Sequence, residues 1–178
     1  MALVAGLVLV AAGVAVAAVV LASASGSGRS GDRAEAPATT AGDPAGTVAY
    51  RLLPDGGPPR TVRLEVAADP DTRAQGLMGR TEVPPGSGMV FLYPVDVRES
   101  FWMKDTMVPL SIAFVAADGR VVSVAEMTPC TADPCPTYAP AGPYRYAVEL
   151  AAGAFPAAGV GAGDRVVPED PASLPRAS

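Results

Sequence analysis

Residues 111–125, Ser111-Ile112-Ala113-Phe114-Val115-Ala116-Ala117-Asp118-Gly119-Arg120-Val121-Val122-Ser123-Val124-Ala125, decide the fold class. Two apolar, strand-forming runs flank Asp118-Gly119, and Asp-Gly suits the positive backbone angles of a tight hairpin turn. Working outward, Thr61–Val66 alternates, with Val62, Leu64 and Val66 on one face and Arg63 and Glu65 on the other. That pattern is a half-buried strand. Tyr144–Leu150 alternates in the same way, which places Glu149 with Arg145 and Ala147 on the exposed face. Thr47–Leu53, Met89–Tyr93, Asp96–Met103 and Ser111–Val115 supply further strands, and Gly163-Asp164-Arg165-Val166-Val167 turns into a last one. Asp69 is an N-cap with Pro70 at the first helical position, and the spacing predicts a short helix over residues 70–78 closed by Gly79. The expectation is mainly β: a single antiparallel β-sandwich, jelly-roll-like, of about eight short strands with one or two short helices.

At 178 residues the chain has room for one domain and an appendage. A net charge of −5 argues against nucleic acid as a partner. Histidine is absent, which removes the commonest general base and metal ligand and excludes Ser-His-Asp and Cys-His chemistry within the chain. The run from Ala2 to Ala22 carries no charge. Such a run is long enough, at about 1.5 Å per residue, to cross a bilayer core of about 30 Å. It reads as a signal peptide cut near Ala22-Ser23-Ala24 or as an uncleaved anchor, and its length favours the anchor. The expected partition is residues 1–24 as leader or anchor, 25–46 as a flexible linker, 47–167 as the β domain and 168–178 as a disordered tail. The domain then lies on the extracytoplasmic side, with the membrane as a partner through the N-terminal segment.

Phe101-Trp102-Met103-Lys104-Asp105-Thr106-Met107 concentrates unlike groups and contains the only tryptophan and the only lysine. One reading is a ligand platform: an indole face for a sugar or a cation, with Lys104, Asp105 and Thr106 at its rim. The other is a polar corner, in which Asp105 turns the chain with Lys104 as its ion-pair neighbour. Phe101 and Trp102 point to opposite faces of a strand, so only one joins the core. Arg80 is suited to hold an anionic ligand or a carboxylate such as Asp105 or Glu99. Cys130 and Cys135, the only cysteines, read as a structural disulfide, since their spacing is not the redox C-x-x-C and no histidine completes a metal site. Met78, Met89, Met103, Met107 and Met127 are spread over five elements and read as core filler rather than as a soft-metal site. No metal or cofactor is expected. Asp96, Glu99, Asp105, Glu126 and Glu149 form the pool for any paired-carboxylate chemistry, and their spacing selects no pair.

Several separated motifs carry a resemblance. Arg73…Gly76-Leu77-Met78-Gly79-Arg80, Gly88-Met89-Val90-Phe91, Phe101-Trp102-Met103-Lys104 and Pro109-Leu110-Ser111-Ile112 fall in order. Pro129-Cys130…Cys135…Tyr138, Tyr146…Glu149 and Gly163-Asp164-Arg165-Val166 follow them. Together they resemble the domain-of-unknown-function 192 family over roughly residues 47–167. The resemblance implies a compact jelly-roll-type domain behind a signal peptide or anchor, with no established activity or cofactor. It adds Arg80 and Tyr138 to the candidate ligand set of Trp102, Lys104, Asp105 and Thr106. Two positions depart from the family pattern: Asp105 stands where Asn is usual, and Ser111 where Asp is usual. The leading expectation is a non-catalytic module that binds a small ligand or cell-envelope component. A carboxylate-dependent enzyme acting on envelope glycans and a structural or assembly protein are the alternatives.

Overall fold

The structure, a computed structural model, describes residues 46–178. The apolar N-terminal run and most of the linker lie outside the described residues. Among the described residues no helix is long and apolar enough to cross a membrane. The element order is β1 (Thr47–Leu53), β2 (Arg60–Ala67), α1 (Pro70–Gln75), β3 (Ser87–Val97), β4 (Phe101–Trp102), β5 (Leu110–Val115), β6 (Val121–Met127), β7 (Thr137–Tyr138), β8 (Tyr144–Ala151), α2 (Ala154–Ala157) and β9 (Arg165–Pro168). The mainly-β expectation holds. Seven strands form one sheet in the order β6-β5-β8-β3-β2-β1-β9, and β4 pairs with β7 in a small second sheet. Pairing is antiparallel except between β2 and β3, which run parallel and are joined by the crossover that carries α1.

The large sheet curls until its two edges meet. Arg120, in the turn between β5 and β6, bridges Arg165 of β9, and the Val121 amide donates to the Asp164 carbonyl at 2.8 Å. Curling divides the apolar residues into two cores. The inner core takes Tyr50, Leu64, Val90, Val115, Val148 and Val166, one or more from nearly every strand, with Phe155 of α2 as a plug. The outer core lies mainly on β3, β5 and β8: Met89, Phe91, Ile112, Phe114 and Ala147 are covered by Leu77, Met103 and Phe101. Each fully buried side chain of this size stabilises by about 1.5–3 kcal/mol.

Local signals behave as their chemistry dictates. Asp69 accepts from the amides of Asp71 and Thr72, and Thr72 answers with its hydroxyl, a capping box with Pro70 at the first helical position. The helix stops at Gln75, earlier than the spacing predicts, because Gly76 takes a φ of +46°. At the hairpin turn Gly119 has a φ of +87°, and Asp118 accepts from the Arg120 amide at 2.9 Å.

Three expectations need correction. Residues 96–103 are not one strand. β3 runs on to Val97, the chain turns, and only Phe101–Trp102 is strand, paired with β7 instead of the main sheet. β8 is not half-buried: Glu149 is 4% exposed, because both faces of this central strand are covered. The residues after Pro168, expected to fray, carry a 3₁₀ turn at Pro171–Ser173 and lay Leu174 against the inner core.

Candidate functional site

The alternation expected of Phe101 and Trp102 is present. Phe101 packs inward, edge-on to Phe91 with centroids 4.9 Å apart and to Phe114 at 5.8 Å. Trp102 is 50% exposed, with the Lys104 ammonium 5.5 Å from its ring centroid. Lys104 therefore neighbours the indole and not Asp105. Asp105 makes the corner, with a φ of +54° that Asp and Asn tolerate better than other side chains do. The Asn usual at this position has the same tolerance, so the change of residue leaves the turn intact. The corner is tied to the turn after α1: the Gly79 amide donates to the Asp105 carbonyl at 2.8 Å, and the Met107 amide to the Arg80 carbonyl at 3.3 Å. Thr106, 6% exposed, faces inward; its hydroxyl makes a long 3.4 Å bond to the Lys104 carbonyl and its amide donates to the Met103 carbonyl at 3.2 Å.

Two of the expected ligand residues turn elsewhere. The Arg80 guanidinium pairs with Glu65 of β2 at 2.7 Å, not with Asp105 or Glu99, and both partners are well exposed. Tyr138 pairs with Phe101 across the small sheet, and its hydroxyl accepts from the Thr128 amide at 3.0 Å. Its role is to fasten the 128–138 loop, where Cys130 and Cys135 stand at disulfide-bonding distance. Of the methionines, Met89, Met103 and Met127 are buried in the outer core as expected, whereas Met107 is exposed.

The residue that sequence reasoning misplaced is Glu149. It sits on β8 between Met89 of β3 and Ile112 of β5 and projects into the outer core with Ala147. Gly88 permits this close packing, since a Cβ there would lie 1.9 Å from the Glu149 carbonyl oxygen. The Glu149 carboxyl has no hydrogen-bond or ion-pair partner among the described residues, and burial alone pushes its pKa up to about 8. It faces a cavity of about 40 Å³ walled by Phe91, Phe101, Trp102, Thr106, Gly76 and Met78. Gly76 suits its φ of +46°, and the Phe91 ring lies 3.4 Å from where a Cβ would stand, in ordinary contact. Sequence did hold a signal: in Ala147-Val148-Glu149-Leu150-Ala151 a lone acid interrupts an apolar run, the mark of a strand covered on both faces.

Arg73, Ala74, Phe101 and Trp102 line both this cavity and an outer cleft of about 340 Å³ that adds Tyr93, Glu99 and Ser100. Trp102 thus stands between a surface cleft and a buried acid. Arg73 is the one cationic residue lining the cavity among the described residues, and its guanidinium is committed. It donates to the carbonyls of Ala68 and Leu92 at 2.9 Å and of Ser178 at 2.7 Å, and it lies over the Tyr93 ring. Tyr93 packs edge-on to Tyr144, whose hydroxyl donates to the Glu99 carbonyl at 3.0 Å, and burial raises the pKa of both phenols.

A second polar cluster lies on the opposite side of β5. Ser111 is fully buried and donates to the Glu126 carboxylate, its register partner on β6. The Gly153 amide, at the entrance to α2, donates to Ser111 Oγ at 2.8 Å and to Glu126 Oε2 at 2.9 Å. Every member is satisfied. Glu126 thus presents a carboxylate beside Ser111 from the adjacent strand.

A family model described as an uncharacterized ACR, DUF192, matches residues 52–168. A crystal structure of a candidate transcription regulator from Sinorhizobium meliloti 1021 is 32% identical, with a TM-score of 0.64 over 68% of this chain and 93% of that one. A protein of unknown function from Novosphingobium aromaticivorans DSM 12444 is also 32% identical, with a TM-score of 0.59 over 67% and 84% of the two chains. No curated protein matches. The chain belongs to the DUF192 family, the family its motifs resemble.

Proposed function

We propose that this domain is a non-catalytic binding module for a small ligand or cell-envelope component, seated at Trp102 over the Glu149 cavity. One observation carries the reading. A carboxyl buried without a partner costs several kcal/mol, and such groups are retained where a ligand or a reaction uses them. Around it stand the components of recognition: aromatic walls, a buried hydroxyl at Thr106, and an open cleft leading to Trp102. Lys104, Asp105 and Thr106 then form the rim and corner of that pocket, while Arg80 and Tyr138 support it from outside.

The apolar run Ala2–Ala22 and the cysteine pair support a placement on the extracytoplasmic side, tethered or secreted. The net charge of −5 disfavours nucleic acid as the ligand, although one structural relative is described as a candidate regulator of transcription. Paired-carboxylate hydrolysis of glycans needs a second acid across the cleft. Among the described residues Glu149 is the only acid lining the cavity, and Glu99 is the only one lining the outer cleft.

Titration of the full chain in mild detergent with envelope sugars, peptides, lipids and metal ions, followed by Trp102 emission, tests the reading. A saturable shift with one class is expected. Trp102→Ala and Lys104→Ala should abolish binding by calorimetry while moving stability by about 0.5 kcal/mol or less, as exposed positions do. Loss of binding that merely tracks loss of thermal stability returns these residues to a structural role.

A further inference from the structure

We infer that the pocket takes a small organic cation, an amine or ammonium head that replaces the proton of Glu149. This rests on the binding-module reading above and names its ligand class. The cavity holds room for about two or three water-sized groups, enough for an ammonium head and too little for a sugar ring. Its floor is a carboxyl with no protein partner, and its walls include Phe91 and Phe101 standing at 86° to one another. Aromatic faces and a carboxylate together are the chemistry that attracts an organic cation and repels an anion. A neutral ligand leaves the acid protonated, whereas a cation pairs with its ionised form. The remaining stem of the ligand fits the outer cleft between Trp102 and Tyr93.

Among the described residues no charged side chain bonds Glu149, although Arg73 lines the same cavity. On α1 and its exit turn, Arg73 is bound to three carbonyls and Arg80 to Glu65 of β2. On the 101–106 segment, Lys104 lies over the indole and Asp105 occupies the turn. On the flanking strands the residues in register are Met89 and Ile112, both neutral. Burial keeps the empty acid protonated at neutral pH. Binding therefore breaks the carboxyl O–H bond and sends the proton to solvent as the ammonium enters, one positive charge in and one out.

The test compares n-butylammonium, n-butanol and butanoate on the full chain, by Trp102 emission and by calorimetry in buffers of different ionisation enthalpy. The amine is expected to bind at least tenfold tighter than the alcohol at pH 8, and butanoate not at all. Its affinity should rise about tenfold per pH unit from 6 to 8 and level off above, with close to one proton released at pH 7. Glu149→Gln, which keeps the shape and removes the charge, should erase the preference, the pH dependence and the proton release. Equal binding of alcohol and amine, or an amine affinity flat in pH, overturns the inference and leaves the binding module standing. Silence from these probes together with the whole ligand panel overturns both.

Discussion

Ser111 and Ile112 are adjacent on β5, and each faces a different carboxylate across the sheet. Ser111 meets Glu126, and Ile112 lies in register with Glu149. Glu126 is solvent-exposed and holds two donors, the Ser111 hydroxyl and the Gly153 amide. Glu149 is buried and holds none, and its carboxyl opens only on a small cavity. The first arrangement ties α2 to the sheet and is explained by the fold. The second stabilises nothing within the domain. Two acids on the strands that flank β5 thus differ in whether their hydrogen bonds are made.

The largest expected effect comes from Glu149→Gln. The folded-state pKa is raised from 4.5 to about 8, so folding takes up a proton between those values. Below about pH 4.5 the acid is protonated in both states and carries no penalty. As pH rises towards 8, stability falls by about 1.4 kcal/mol per unit, then levels off. Urea unfolding from pH 5 to 8.5 should show that slope in the parent chain and lose it in the variant. At pH 8 the variant should be more stable by roughly 4 kcal/mol. Parallel slopes in the two proteins would mean that Glu149 is solvated or paired, and the contrast with Glu126 would collapse.

On the other side of β5, Ser111→Ala should destabilise by about 1 kcal/mol, since it removes the hydroxyl that bonds both the Glu126 carboxylate and the Gly153 amide while those two keep their own bond. That loss should be the same from pH 6 to 8 and should leave ligand binding untouched, sharpening the division. The smallest effect belongs to Arg80→Ala. Its ion pair with Glu65 is exposed on both sides, and such pairs contribute about 0–1 kcal/mol. A larger loss, or a loss of ligand affinity, would return Arg80 to the site.

How legible the molecule was in its sequence differs by residue. The hairpin at Asp118-Gly119, the capping box at Asp69, the alternation of Thr61–Val66 and the left-handed corner at Asp105 depend on neighbours a few positions away. The chain's own local chemistry therefore determined them, along with the mainly-β class and the opposite facing of Phe101 and Trp102. The parallel β2–β3 pairing, the partner of Arg80 and the burial of Glu149 depend on segments distant in sequence. Alternation assigns a residue to one face of a strand but is silent on what covers that face. Only when the turn after α1 and the 101–106 segment fold over β8 does Glu149 lose its water. That loss alone turns an ordinary surface acid into the floor of a pocket.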